Sequence, residues 1–211
     1  PSLLYFLQPP RTSCLNSRIK ISIMIDILRK HILTKIGDDT SHLEVVLSKF
    51  QHIAVKCDTQ LLRQGDVCKH VYFVATGCLQ ISNLDQNHKE TTRDIVTENY
   101  WCSELSSFSE QVPAIESITA IEDSNLLAIS RSNFYQLMAS VPQFEKFYTQ
   151  LLEASYAHSV NRINALMALS ATEKIEWLTK NQPHLLDRVS SKMIASYLGI
   201  TQETYSRLKR K

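Results

Sequence analysis

The last ten residues of the chain carry side chains whose hydrogen-bonding groups match the edges of nucleic-acid bases. Gln202, Glu203 and Arg207 fall on the outward side of a helix that the pattern predicts from about position 202. Arginine can donate two hydrogen bonds to guanine, glutamate can accept one from the cytosine amino group, and glutamine can pair with adenine. We predict that these three side chains read bases in the major groove. A solvated helix face is the alternative, and Glu203 and Arg207 could also form an ion pair four residues apart.

A helix-turn-helix would position these side chains. Ile194 and Leu198 share one face of a first helix, Gly199 supplies the positive φ of a tight helix end, and Thr201 can cap the second helix. A helical hairpin with a solvated polar face is the alternative interpretation. The polar and basic side chains around the hairpin are candidates for phosphate contacts, which fix the register on DNA without reading sequence. They are Ser190, Ser191, Thr201, Thr204, Lys209 and Arg210.

Charge is distributed unevenly along the 211-residue chain, whose net charge is only +2. After residue 187, six basic side chains stand against one acid, whereas acids outnumber bases over 24–187. Basic charge at one end suits a segment that meets phosphate. The five cysteines are an odd number without C-x-x-C spacing, which indicates free thiols and a cytoplasmic protein. No run approaches the ~18 apolar residues of a membrane span.

Hydrophobic periodicity divides the chain into helical and strand-rich parts. Helical spacing over 25–36 and 41–50 is followed by short β-rich runs between 52 and 129, which is typical of a sandwich or jelly roll. The helical period returns at 132–140 and in a long run from Pro142 to about Leu169. We therefore predict an α+β fold with N-terminal helices, a β-roll, one long helix and a C-terminal helix-turn-helix.

The predicted domain limits follow these changes of period. Residues 24–141 form a sensor-like domain, 142–169 a dimerisation helix, and 170–211 a helix-turn-helix domain. Residues 1–23 have three basic side chains, no acid and no clear period. We predict that they are a non-native or disordered leader that precedes a natural start at Met24.

Apolar and small side chains recur three and four residues apart along the long helix, and such a seam needs a packing partner. We assign Phe147, Leu151, Ala154 and His158 to this seam. One interpretation is packing against the protein's own strands, and the other is a homodimer. The dimer is favoured because a helix-turn-helix protein gains from two-fold symmetry when it binds DNA.

The order of elements resembles the cyclic-AMP receptor protein and fumarate–nitrate regulator (Crp/Fnr) family of bacterial transcription factors. The resemblance extends from Met24 to Lys211, and in the β-roll it rests on LLRQGDVCKHVYFVATGCLQIS at 61–82. The segment at 100–108, YWCSELSSF, is similar to the phosphate-cassette helix, and that at 116–134 to the strands after it. The resemblance implies a homodimeric regulator with double-stranded DNA and RNA polymerase as partners and an unknown small-molecule effector. It also implies a winged-helix-like DNA-binding domain, whose wing we expect to be short or absent.

The cassette departs from the family's nucleotide-binding pattern, F-G-E-L followed by R-[ST]-A. Of the nucleotide-contacting positions in that pattern only Glu104 is kept, and Ala114 stands at about the position of the arginine. Without this cation, a phosphodiester would lie opposite a carboxylate in a partly dry pocket, which is costly. We therefore expect cyclic AMP to bind weakly or not at all, name no cofactor, and expect Glu104 to serve as a helix-end acid. The pocket candidates are Tyr72, Ser103, Glu104, Leu105, Ala114 and Ile115.

Other function classes fit the sequence less well. A metal-binding cupin needs clustered ligands, but His52, His70 and His88 are isolated. The sequence has neither a glycine-rich phosphate loop nor a nucleophile elbow, and we predict no enzyme. An iron–sulfur sensor would need clustered N-terminal cysteines, and no His or Cys stands out as a haem ligand. The open alternatives are a dimeric small-ligand sensor without strong DNA binding and a dimeric scaffold that does not bind DNA.

Overall fold

The computed structural model describes residues 12–36 and 40–209, with side chains from Ile19 onward. Residues 1–11 of the predicted leader and the phosphate candidate Arg210 lie outside this range. The N-terminal helices are α1 (Thr12–Ile36) and α2 (Leu43–Ser48). The strands and the cassette helix are β1 (Gln51–Val55), β2 (Gln60–Leu62), β3 (His70–Thr76), β4 (Leu79–Leu84), β5 (Glu90–Val96), β6 (Trp101–Cys102), α3 (Leu105–Glu110), β7 (Ser117–Ala120) and β8 (Ser124–Ser130). The remaining helices are α4 (Arg131–Ser140), α5 (Pro142–Ala168), α6 (Ala171–Asn181), α7 (Leu185–Arg188), α8 (Ser191–Tyr197) and α9 (Gln202–Lys209).

The eight strands form two four-stranded antiparallel sheets. Their orders are β1-β8-β3-β6 and β2-β7-β4-β5. Side chains from the facing sides of both sheets form the main core, in which Phe73, Leu79, Ile118 and Leu127 are fully buried. The structure therefore confirms the predicted α+β fold with a β-roll, since short strands that each bury one face need a second sheet to cover them.

The first helix begins earlier than its apolar period indicates. The helix predicted over 25–36 starts at Thr12 in the structure. Ile19, Ile21 and Ile23 are exposed, whereas the buried side chains of α1 begin at Met24 and recur at Leu28, Ile32 and Ile36. The apolar period thus marks the part of α1 that packs on the β-roll and α5, and it does not mark where the helix starts.

The long helix α5 begins as predicted, with Pro142 in its first turn. Phe144 and Phe147 are buried in the core of their own chain, where the Phe147 ring lies 5.5 Å from the Trp101 ring. For Phe147 this corrects the assignment to a dimer seam, because the side chain already has an intramolecular partner. The apolar side chains that α5 leaves exposed are Leu152 (38%), Tyr156 (74%), Ile163 (50%) and Met167 (82%).

Helices α6 to α9 form a C-terminal helical domain, residues 171–209, around a second core. Leu178, Ile194 and Tyr205 are buried there. The same core contains Cys78 and Ile95 of the β-roll, both buried. The C-terminal helical domain therefore packs directly on the sheet that contains β4 and β5.

Candidate functional site

The turn between α8 and α9 is fixed by local hydrogen bonds that the sequence predicts. Gly199 has φ +63°, its N–H donates to Ser196 O at 3.1 Å, and the Ile200 N–H donates to Ala195 O at 3.0 Å. These two bonds form a Schellman motif, which requires a left-handed residue at the glycine. The Thr204 N–H donates to Thr201 Oγ1 at 3.2 Å, so Thr201 caps α9.

Helix α9 turns its polar side away from the protein. Tyr205 is buried in the second core, whereas Gln202, Glu203 and Arg207 are all exposed. No ion pair joins Glu203 to Arg207 within the residues that the structure describes. The three predicted base-reading side chains are therefore brought together on one accessible helix face.

The predicted phosphate contacts surround this helix, and some of them also act in helix capping. Ser190 Oγ accepts from the Met193 N–H at 3.3 Å, which caps α8. Ser190, Thr201 and Lys209 are exposed, and Ser191 and Thr204 are half-buried. Because a serine or threonine at a helix N-terminus lies beside free N–H groups, a capping role is compatible with a position against phosphate.

An arginine at the end of α7 holds the C-terminal helical domain on the β-roll. Arg188 donates to both carboxylate oxygens of Glu98, at 2.8 and 2.9 Å, and also to a carboxylate oxygen of Glu122. The Nη2 group of Arg188, which contacts Glu98 and Glu122, also lies 3.1 Å from Gly77 O, so these three acceptors share its two N–H groups. We call Arg188, Glu98 and Glu122 the interdomain ion-pair cluster. Arg188 belongs to the basic C-terminal end, but these contacts remove it from the charge available to phosphate.

The electrostatics of this cluster favour the charged forms. Burial alone would raise the pKa of Glu98, but hydrogen bonds from Arg188 and from the Gly77 N–H outweigh it and hold the pKa at about 2. The same carboxylates raise the pKa of Arg188 above its usual value. Glu98 and Arg188 are therefore both charged throughout the physiological range.

Three further contacts fix the orientation of the C-terminal helical domain. The Thr92 N–H on β5 donates to Ser196 Oγ on α8 at 2.9 Å, and a hydrogen bond of 3.3 Å joins Thr97 Oγ1 to His184 Nε2. Arg162 on α5 donates to Tyr197 O at 2.8 Å, and its guanidinium lies 4.3 Å from the Tyr197 ring centroid. These partners are far apart in sequence, and no local pattern indicates them.

In the cassette, Glu104 is a helix cap, as the sequence analysis expected. Its side chain is buried and accepts a 2.7 Å hydrogen bond from the Ser107 N–H at the start of α3. Ala114 is buried, and its N–H donates to Asp66 O at 2.8 Å. The carboxylate and the backbone that would meet a nucleotide are thus already bonded within the protein.

The other pocket candidates do not converge on one site. Ser103 Oγ donates to His70 O at 3.2 Å, and Ile115 points to solvent with 69% exposure. Tyr72 is buried in β3, where burial raises the pKa of its hydroxyl. Leu105 is exposed. Two of the six candidates, Ser103 and Leu105, line one cavity, but the structure does not assemble all six into a ligand shell.

An ion pair that sequence reasoning missed lies between β5 and the residue before β7. Arg93 Nε is 2.5 Å from Glu116 Oε1, and the Glu116 side chain is only 9% exposed. Arg93 stands at a β-bulge, because Ile81 pairs with Asp94 and Ser82 pairs with Thr92. The acid that follows the cassette is therefore neutralised by the protein's own arginine.

Of the other predicted seam residues, Leu151 and His158 are half-buried and Ala154 is exposed. Leu151, Ala154 and His158 line a cavity of about 500 Å³ that also contacts Ser103 and Leu105. The side of α5 that carries Tyr156 and Met167 is exposed in the described structure and is apolar.

Two absences hold for residues 12–36 and 40–209. No group of three or more His, Cys, Asp or Glu side chains there is arranged to hold a metal ion. None of the helices in these ranges is long and apolar enough to cross a membrane.

Residues 53–141 match the family described as cyclic nucleotide-binding domain. FixK2 from Bradyrhizobium japonicum is 17% identical with a TM-score of 0.67, over 76% of this chain and 83% of that one. The c-di-GMP-responsive global regulator CLP from Xanthomonas campestris is 18% identical with a TM-score of 0.67, over 82% of this chain and 90% of that one. A transcriptional regulator from Eubacterium rectale, assigned to the Crp/Fnr family, is 17% identical with a TM-score of 0.65, over 82% of both chains. No curated protein matches the sequence.

Proposed function

Since residues 53–141 form a cyclic nucleotide-binding domain and the chain has the fold of the Crp/Fnr transcription regulators, we propose that the protein is a homodimeric regulator that binds double-stranded DNA. The observation that carries the proposal is the presentation of α9. Its apolar side holds the second core through Tyr205, and its outer side exposes Gln202, Glu203 and Arg207. These groups can pair with adenine, cytosine and guanine edges in a major groove that is wide enough for a helix.

The proposed dimer contact is the exposed side of α5. Leu152, Tyr156 and Ile163 are spaced four and seven residues apart, and Met167 continues the stripe four residues later. This spacing places all four side chains on one side of a 27-residue helix, as in a two-helix seam. The opposite side of α5 is already in use, because Phe144 and Phe147 are buried in its own chain. A second copy of α5 would therefore cover the first.

Oligomeric state tests the proposed dimer contact. We expect Tyr156→Lys to convert the protein from dimer to monomer in sedimentation velocity, because two buried ammonium groups would face each other at the seam. Asn161→Lys is the matched control, because Asn161 is exposed on another side of the same helix. A monomeric wild type, or dissociation by both substitutions alike, would contradict this seam.

We propose that cyclic AMP is not the effector. The cassette carboxylate of Glu104 is engaged by the Ser107 N–H, and the nearby Arg93 is engaged by Glu116. A cyclic nucleotide would have to displace these bonds without gaining a cassette arginine, since Ala114 stands there. Isothermal titration should show no saturable heat with cyclic AMP, whereas a micromolar Kd would refute this point.

Selection from a random DNA pool tests DNA binding. We expect enrichment of an inverted repeat whose half-sites are about one helical turn, ~34 Å, apart, because two α9 helices related by a two-fold axis read the same groove twice. The binding constant should fall linearly with log salt concentration, as phosphate contacts release counterions. Failure to enrich any sequence, with salt-independent binding, would favour the alternative of a small-ligand sensor without strong DNA binding.

A further inference from the structure

The cavity of about 500 Å³ lies where the β-roll meets three helical segments. Its walls come from α1, from β5 and β6 at the edges of the two sheets, from α5, and from the link between α6 and α7. The volume is in the usual range of small-molecule sites. The start of the cassette also lines it through Ser103 and Leu105, whereas Glu104, Ala114 and Ile115 do not. The cavity therefore lies beside the cassette and extends from it to α1 and the link between α6 and α7.

One wall of the cavity is aromatic and held in place. Trp101 lines the cavity, and its ring packs against the rings of Phe73 at 5.2 Å and Phe147 at 5.5 Å. The Trp101 Nε1–H donates to His31 Nε2 at 3.1 Å, which fixes the orientation of both rings. Tyr148 lines the cavity from α5. Flat, pre-ordered aromatic surfaces favour a flat aromatic ligand, because little conformational entropy is lost when it binds.

The ionisable groups at the cavity leave one cation without an acid. Lys35 lines the cavity one helical turn after His31, and no ion pair joins it to an acid among the described residues. The lining acid Asp94 is already engaged, because it accepts from the Ile95 N–H at 2.9 Å and lies 3.8 Å from Arg93. Charge complementarity therefore favours a ligand that carries a negative group.

The histidines that line the cavity can donate hydrogen bonds to such a group. Burial, and then the charge of Lys35, lower the pKa of His31 and favour its neutral form. Since His31 Nε2 accepts from Trp101, the ring proton of neutral His31 is on Nδ1. His158 and His184 line the cavity from α5 and from the segment before α7.

We propose that this cavity binds a small aromatic carboxylate, with the ring against Trp101 and Tyr148 and the carboxylate at Lys35. The ligand acts as the effector of the regulator, and that part of the proposal rests on the proposed function. The cavity includes Leu152 of the α5 seam and His184, which precedes the helix that ends at Arg188. A bound ligand thus contacts both α5 and the segment that leads into α7. It changes the orientation of the DNA-binding helices if it binds one orientation more tightly than another.

Binding is tested on the full chain with Trp177→Phe, which leaves Trp101 as the only tryptophan. Benzoate should quench Trp101 fluorescence in a saturable manner. Benzamide, which has the ring without the charge, and acetate, which has the charge without the ring, should each bind at least about tenfold more weakly, as expected when a charge-assisted hydrogen bond or the ring contact is lost. Equal affinity for benzoate and benzamide would overturn the assignment of a carboxylate.

Two lysines on α1 give a matched pair of variants. Lys35→Ala should weaken benzoate binding about tenfold, whereas Lys30→Ala should not change it, because Lys30 is exposed on the same helix and does not line the cavity. Lys35→Gln provides a second variant if the alanine variant unfolds earlier in a thermal melt. Absence of saturable quenching at millimolar benzoate, or unchanged affinity in both Lys35 variants, would overturn the site.

The effector role is measured separately from binding. Saturating benzoate should change the affinity for the selected DNA in the wild type and not in Lys35→Ala. If benzoate quenches Trp101 but leaves DNA affinity unchanged, the effector role is overturned and the binding site stands. If no DNA is selected while quenching remains saturable, the proposed function fails and the binding site stands.

Discussion

Arg188 and Arg207 belong to the same basic C-terminal end, but their surroundings differ. Arg188 is half-buried and bonded to Glu98, Glu122 and Gly77 O. Arg207 is exposed and has no ion pair among the described residues. The first guanidinium is committed to holding two parts of one chain together, whereas the second remains available to a ligand that comes from solution.

The contrast shows why a count of charge along a sequence overstates a phosphate-binding surface. An arginine whose N–H groups already meet carboxylates within the protein offers little further attraction to DNA. By the same reasoning, Arg93 beside Glu116 does not replace the arginine that the cassette lacks. Substitutions that change stability without changing DNA binding, or the reverse, can test whether Arg188 and Arg207 have these separate roles.

The largest effect on stability is expected at Gly77, which supports the interdomain ion-pair cluster. Its φ is +109°, and a Cβ placed there would lie 2.1 Å from Ser124 Oγ and 2.6 Å from Ser124 Cα. Its N–H donates to Glu98, and its carbonyl accepts from Arg188. Gly77→Ala should therefore lower the free energy of unfolding by about 2–4 kcal/mol through backbone strain and overlap, measured by urea denaturation.

Gly199→Ala is the control for Gly77→Ala. Gly199 also has a positive φ, but the nearest atom to an added Cβ, Leu166 Cδ2, is 3.8 Å away. Only the left-handed conformation is penalised there, at about 1–2 kcal/mol. Equal losses at the two glycines would show that the overlap with Ser124 is relieved without cost and that Gly77 is not a rigid support.

Arg188→Ala should give the next largest loss of stability. It leaves the carboxylates of Glu98 and Glu122 near each other without their cation. Because these side chains are about one third exposed, solvent screens part of the penalty, and we expect about 1–3 kcal/mol. In urea denaturation Arg207→Ala should change the stability by less than about 0.5 kcal/mol, as expected for a surface substitution. A similar loss in the two variants would contradict the contrast between the arginines.

The pH dependence of stability sharpens the same comparison. The pKa of Glu98 falls from an ordinary value of 4.5 to about 2 on folding, so the carboxylate stabilises the folded state above pH 4.5. This contribution is lost progressively as the pH falls from about 4.5 toward 2. Urea unfolding across this window should show a shallower loss in Arg188→Ala than in the wild type. Parallel curves would mean that Arg188 does not hold the pKa of Glu98 down.

The features that could be predicted from the sequence are those that depend on residues close together in the chain. The Schellman turn at Gly199, the cap at Thr201 and the capping box from Ser170 to Glu173 each depend on side chains within a few positions, and the structure contains all three. The cap at Glu104 belongs to the same class. Short-range hydrogen bonds of this kind leave a readable pattern of residue types.

The features that could not be predicted from the sequence depend on which surfaces pack against each other in the folded protein. A helical period indicates that α5 has an apolar side, but both Phe147 and Tyr156 satisfy an apolar spacing, and only the fold decides which one its own chain buries. Arg188 meets Glu98 and Glu122 across 90 and 66 positions of sequence. The cavity beside Trp101 draws its walls from segments between His31 and His184, and no single motif encodes it.

The last prediction addresses the free arginine and is measured on DNA. Arg207→Ala should lower the affinity for the selected site by about 1–3 kcal/mol, the value of a bidentate contact with guanine. Fluorescence anisotropy at fixed salt should show a much smaller loss on a scrambled duplex of equal length. Lys209→Ala is the control, because Lys209 is exposed on the same helix and is assigned to phosphate. Lys209→Ala should lower the affinity for both duplexes by the same factor. It should also reduce the slope of log affinity against log salt concentration by about 1. Equal losses on both duplexes for Arg207→Ala would show that Arg207 contacts the backbone and that α9 reads the bases with other side chains.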